Sequence, residues 1–434
     1  MADNMTISVG SHTLSITEKV PVDESIVSYE YREYESTNPA ALNSGQAIDI
    51  TILTQDVYTQ PSKSFLLIEG TLTSATNDAY GAAALVALIN NGIPYMFSQI
   101  RYKINGTEIE NVASPGQATT MKGMLAYGDD FSKSEGLNMC WQKDTTAAAA
   151  AANLGFEARR QLIIARPDPV GTFSFVIPLR HLFGFCDDYV KVIYGTKQSL
   201  QLSRQGDADA IFRAAAAPNG RITLNKLSWF MPHVRPSVEY TNSLIKEIEN
   251  KARVPVAFRA MQCDSLAVPQ ATTFSWPLSS KSEKPRWIIL GFQTGKDGDQ
   301  RQNPALFDHV QVRNVHALLN SDRYPEYDWH LNFTQQTISL AFRAVCEFKD
   351  AYYGIGPQES SNQITRSDFV DFFPLFVLDV RRQSERLKNS VQNITLKVEF
   401  DAAVPANTMA YALVISDRLL YLDSDGSKFG VAWK

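Results

Sequence analysis

The chain has four cysteines in 434 residues, Cys140, Cys186, Cys263 and Cys346, and no two of them form a C-x-x-C pair. That scarcity excludes a zinc ribbon or a thioredoxin-like site and suits free thiols in a reducing compartment. Histidine is also sparse, at His12, His181, His233, His309, His316 and His330, with no H-x-H pair anywhere. The ligand set of a cupin-type metal sandwich is therefore missing. Basic charge is not in excess: 41 Lys and Arg stand against 46 Asp and Glu, a net charge of -5. A genome-packaging role would need a basic tract, and none is present. No apolar run approaches membrane-spanning length, and no basic-then-apolar opening suggests a secretion signal. The sequons at Asn4, Asn105, Asn332 and Asn393 are then expected to be accidents of composition.

Catalytic signatures are lacking too. There is no Walker-type phosphate loop and no G-x-G-x-x-G. His181 and Cys186 lie five residues apart, which does not by itself make a dyad, and buried thiols are common. Asp297-Gly298-Asp299 and Asp423-Ser424-Asp425-Gly426 resemble fragments of calcium loops without the bidentate Glu. Asp129-Asp130 and Asp187-Asp188 are adjacent carboxylates, which on a strand point to opposite faces and do not converge. No catalytic, cofactor-binding or metal-binding residue is expected. Such a molecule works through its surfaces.

What is present is β structure. Alternation predicts strands at 48–52, 65–73, 198–204, 221–230, 256–261, 272–276, 287–292, 310–319, 394–400 and 409–416. Residues 96–112 read as a hairpin around Asn105-Gly106, the pair that tolerates positive φ at both turn positions. A change of face between Leu224 and Leu227 predicts a bulge. Short helices are expected at 119–127 and within 331–348, each running into a Tyr-Gly pair. The one clear amphipathic helix is 238–251, where Tyr240, Leu244, Ile245 and Ile248 share a face. It marks a linker near mid-chain. Two alanine runs, 147–152 and 214–217, fall in expected loops and carry no weight.

A repeat organises the rest. Placing 171–185 on 367–380 sets Phe173 on Phe369, Pro178 on Pro374 and Leu179 on Leu375. The same offset sets Leu200 on Leu396, one strand later. Each copy is read as an apolar strand ending at Pro-Leu, so the chain repeats one β module. The expected division is an N-terminal arm at 1–45, a first sandwich at 46–236, a linker helix at 237–253 and a second sandwich at 254–434.

Several stretches resemble the double jelly-roll major capsid proteins of Polinton/Maverick elements and the related adintoviruses. They are 61–73, 89–112, 119–130, 173–189, 284–294, 307–333, 372–385 and 410–422, covering both halves in order. The resemblance implies an all-β chain of two tandem eight-stranded antiparallel jelly rolls with short helices in the loops. It also implies a non-enzymatic homotrimer, packed as pseudo-hexameric capsomers in an icosahedral virion around double-stranded DNA. Its partners would be neighbouring capsomers, penton and minor capsid proteins, with no sequence-specific nucleic-acid binding, no transmembrane segment and no cofactor. It implies synthesis as a soluble protein inside the host cell. The competing expectation from another class is a jelly-roll glycan- or receptor-binding module, which would usually be secreted.

Overall fold

A computed structural model of the chain describes residues 25–53, 57–166, 170–250, 253–278, 284–355, 362–383, 393–424 and 429–433. The first half supplies β1 (Ile26–Glu35), β2 (Ala47–Ile52), β3 (Tyr58–Thr59), β4 (Phe65–Ser74), β5 (Val86–Leu88) and β6 (Phe97–Ile104). It continues with β7 (Thr107–Ala113), β8 (Thr172–Pro178), β9 (Ile193–Tyr194), β10 (Gln198–Arg204), β11 (Ile211–Arg213) and β12 (Gly220–Pro236). The second half supplies β13 (Arg253–Ala267), β14 (Thr273–Pro277), β15 (Pro285–Thr294), β16 (Val312–Leu319) and β17 (Asp322–Tyr324). Its last strands are β18 (Phe376–Asp379), β19 (Ile394–Phe400), β20 (Thr408–Ser424) and β21 (Phe429–Trp433).

Pairing shows one topology used twice. In the first half β1-β12-β4-β8 faces β2-β10-β6-β7; in the second, β13-β20-β15-β18 faces β14-β19-β16-β17. Strand for strand, in the same chain order, these are two eight-stranded jelly rolls. β3 and β9 extend one sheet, β21 extends another, and β5 with β11 forms a separate ribbon. The strands alternate as their faces require: β4 is buried at every second residue, and β10 reads inward at Gln198, Leu200, Leu202 and Arg204. Each fully buried Leu or Ile on such a face contributes about 1.5–3 kcal/mol. One continuous apolar core links the two halves.

Most sequence expectations hold here. Asn105 and Gly106 have φ of 50° and 83°, the double positive turn that closes the β6–β7 hairpin. The bulge lies between Leu224 and Lys226, where β12 slips against β4. The Pro115–Ala126 and Ser339–Tyr353 helices each stand between corresponding strands of their jelly roll, and the second ends on left-handed Gly354. The alanine runs form turns and bends, held by Asn153 Nδ2 donating to the Thr146 and Ala148 carbonyls and by Arg213 donating to that of Ala217.

Two expectations need correction. The repeat is real at the later strand: Leu200 pairs with Ile50 and Tyr102, while Leu396 pairs with Trp276 and Ala317 in the matching places. At the Pro-Leu stretch the register fails. Thr365 and Asp368 form a capping box that starts an Arg366–Asp371 helix, so Phe369 is helical where Phe173 is in a strand. Pro178 is the last residue of β8, whereas Pro374-Leu375 precedes β18. The second correction concerns the arm. Residues 26–35, placed in it, form β1, paired with β12 from Ile26↔Pro236 to Glu35↔Ser228. Residues 1–24 lie outside the described residues.

Candidate functional site

No sequence-derived site residue was expected, and the candidate motifs do not converge. Among the described residues no three His, Cys, Asp or Glu side chains come together as metal ligands. His309 stacks on Phe333, and its Nδ1 accepts from the Gln311 N–H at 3.1 Å. Cys140, Cys186 and Cys263 are buried, and burial pushes each thiol up, Cys140 to about 11. Protonated thiols are poor nucleophiles. Asp299 holds Arg301, and the Gly298 N–H donates to Asp209. The Asp425-Gly426 turn lies outside the described residues.

His181 is instead a satisfied core group. Asn91 Nδ2 donates to Thr119 and Thr120, so Asn91 Oδ1 accepts from His181 Nε2 at 3.0 Å, and Tyr127 OH donates to Nδ1 at 2.7 Å. Burial, aided by the nearby Lys122 charge, lowers this imidazole to about 3 and keeps it neutral.

The chemistry that does converge lies in the seam between the jelly rolls. Asp187 and Asp188 diverge, each to its own cation. Lys122 Nζ, on the buried Pro115–Ala126 helix, sits 2.8 Å from Asp187 and 5.3 Å from the centre of the Tyr352 ring. Burial alone would pull this ammonium down; Asp187, with Tyr352, Tyr353 and Tyr127, overcomes it and holds it well above the ordinary range. Arg259, on β13, donates from Nε to Asp188 at 2.9 Å, and its guanidinium lies 3.6 Å from the Tyr352 ring centre. The first half thus supplies carboxylates and a lysine; the second supplies the arginine and the aromatic lid.

Two more ties cross the seam. Trp141 Nε1 donates to Gln363 at 2.9 Å, and Lys143 reaches Asp368 at 2.8 Å. Asp144 is fully buried, accepting from Arg159 Nη2 at 2.7 Å, Asn153 at 2.9 Å and Asn303, from the second half, at 2.9 Å. A buried pair of this kind is tolerable only because its lone pairs and protons are met.

Glu110 is the most unusual member. Its Oε1 accepts from the Met261 N–H at 2.7 Å and the Gly184 N–H at 3.1 Å, and Oε2 accepts from Phe185 at 2.9 Å. Burial raises its carboxyl from 4.5 to about 7, against the pull of those three donors and Arg418. A raised carboxyl favours the protonated folded state. Its contribution is therefore full below pH 4.5 and is lost as pH rises through about 7. The loss is expected to approach about 3 kcal/mol. His181 slopes the opposite way, because its lowered pKa makes stability fall as pH drops below 6.5. Urea midpoints of the native chain and of Glu110→Gln, taken at each pH from 4.5 to 8, isolate the Glu110 part. The difference should shift with pH in favour of the variant; a difference independent of pH contradicts the assignment.

Sequence reasoning missed Glu110, Lys122, Asp144, Arg159 and Asn303, because Glu110, Lys122 and Asn303 meet partners 65 to 159 residues away and Arg159 meets Asp144 across 15 residues at no regular period. The Asp187-Asp188 pair was visible, and its divergence is the feature that matters.

The sequence matches the double jelly roll-like domain family over residues 86–420. No curated protein matches it. Among solved structures, a chain of the Sputnik virophage is 12% identical with a TM-score of 0.60, covering 97% of this chain and 91% of that one. The mavirus major capsid protein is 11% identical with a TM-score of 0.55, covering 100% of this chain and 95% of that one. The Faustovirus major capsid protein is 9% identical with a TM-score of 0.56, covering 94% and 92%. At such identities the likeness is one of fold, with both jelly rolls included. With two matching sandwiches in tandem and a family match over most of its length, the chain belongs to the double jelly roll-like domain family.

Proposed function

We propose that the protein is a major capsid protein, a non-enzymatic building block of an icosahedral virion around a double-stranded DNA genome. The observation that carries this is the tandem repetition of one jelly roll, matched end to end by capsid proteins of similar length. Two similar sandwiches per chain let three chains around a threefold present six, a tile that closed shells can use. The seam supports that role. The Arg259–Asp188 and Lys143–Asp368 ion pairs and the Met261–Glu110 hydrogen bond tie the two jelly rolls to each other, as a subunit that must hold its shape in a lattice requires.

In this reading the chain forms homotrimeric, hexon-like capsomers that meet neighbouring capsomers, pentons and minor capsid proteins. The first jelly roll ends with β12, the Val238–Glu249 helix links the halves, and the second begins at β13. The resemblance of the segments quoted above supports a relative of the Polinton/Maverick and adintovirus capsid proteins, and in this reading the chain is made as a soluble intracellular protein before assembly. No helix among the described residues is long and apolar enough to cross a membrane. The test is the particle formed by the purified chain. Light scattering should give three times the 48.4 kDa chain mass, and concentration should drive the trimers into hexagonal sheets or shells. A monomer at all concentrations overturns the proposal.

A further inference from the structure

β1 is an edge strand left open. It pairs with β12 on one side, and no other strand pairs with it among the described residues. Eight of its ten residues are exposed, including Ile26, Val27, Tyr29 and Tyr31. Exposed edges of this length are templates for another strand. Beside it, none of the side chains described on the Val238–Glu249 helix is buried, and Val238 and Tyr240 are 76% and 56% exposed. A cleft of about 500 Å³ joins the two features, lined by Ser28, Arg32, Tyr58, His233, Pro236 and Val238. A built edge, a cleft and an uncovered apolar helix face stand side by side.

The chain itself carries a segment suited to that edge. The Ser237 N–H donates to the Ser25 carbonyl at 2.8 Å, which sets Ser25, the residue that follows the first 24, at the mouth of this cleft. Within them, residues 5–17 (MTISVGSHTLSIT) contain no Asp, Glu, Lys or Arg and are rich in β-branched types. Ile7 and Val9 alternate with polar neighbours, as do Leu14 and Ile16. The edge is acidic, with Glu30, Glu33 and Glu35 against Arg32, and the helix adds Glu239, Glu247 and Glu249 against Lys246. An uncharged strand meets that surface without repulsion; an anionic lipid surface does not.

Register separates one chain from two. A hairpin closed within one chain around residues 21–24 sets residue 17 opposite residue 28 and leaves residues 5–9 beyond Glu35, past the end of β1. That hairpin would lay residues 10–19 along β1, the charged Glu18 and Lys19 among them, whereas a segment arriving from another copy has no such constraint and can lay ten residues of the uncharged stretch 5–17 along it. We infer that residues 5–17 of one copy add as a strand to the free β1 edge of a second copy, so that the N-terminal segment ties chains together. This rests on the chain assembling with copies of itself, as proposed above.

Disulfide trapping tests it in the assembled full-length protein. Two differently tagged chains are co-expressed, both with the exposed Cys346 replaced by serine. The donor carries Ser8→Cys; the acceptor lacks residues 1–20 and carries Val27→Cys or Glu30→Cys. Oxidation should give a donor–acceptor band, lost when Ile7→Asp and Val9→Asp are added to the donor. A third chain bearing Ser15→Cys and Glu30→Cys together, the positions that a hairpin within one chain sets opposite each other, reports pairing within one copy. Oligomers that form without the donor–acceptor band, or that trap only the intrachain bond, overturn the inference and leave the assembly proposal standing. Chains that remain monomeric overturn both.

Discussion

Gly184→Ala is expected to destroy the native seam. A Cβ at Gly184 would stand 1.7 Å from the Arg259 carbonyl oxygen, well inside any contact that atoms tolerate. Neither side can retreat. The Gly184 N–H is held by Glu110, and Arg259 lies in β13, paired with Asp417 of β20 and gripped by Asp188. Here the backbones of the two jelly rolls touch, which leaves no room for even a methyl group. Overpacking at a site that cannot relax belongs to the severe end of single substitutions, above about 4 kcal/mol. Soluble yield and thermal midpoint measure it, with Gly81→Ala as the control because its Cβ would meet nothing within 4 Å. Unchanged melting of Gly184→Ala would mean that the two halves do not pack as described.

The second large effect is expected at Asp144. Asp144→Ala leaves the fully buried Arg159 guanidinium without its counter-charge and strips Asn153 and Asn303 of an acceptor. Breaking one side of a buried pair costs about 3–5 kcal/mol, because the remaining charge stays desolvated. Arg159 would keep only its carbonyl acceptors, including Leu88. Denaturant midpoints should fall accordingly. Asn303→Ala removes the tie between the halves and the acceptor of the Ala305 N–H, leaves the Arg159 pair intact, and should cost less, about 1–3 kcal/mol. Equal losses from the two variants would show that Asp144 acts across the seam and not on Arg159.

Much of this fold was legible because strands announce themselves by alternation. The Asn105-Gly106 turn, the Leu224 bulge and the Leu200–Leu396 correspondence each follow from local backbone or side-chain geometry. The Arg366–Asp371 helix was hidden because apolar residues at short spacing fit a buried strand as well as a helix. Its capping box was the available signal. β1 was missed for a different reason. An edge exposed on both faces needs no alternation, so IVSYEYREYE looks like an arm. The seam was not legible at all. Glu110, Gly184 and Met261 meet through three distant stretches, and no local pattern connects them.

The central claim is that two copies of one jelly roll, fixed to each other by that seam, make a chain built to be tiled in threes. Image averaging of the native oligomer by electron microscopy tests it most directly. The account predicts a threefold particle with six similar lobes, two from each chain. A particle without threefold symmetry, or one whose two lobes per chain vary in relative position, would contradict it.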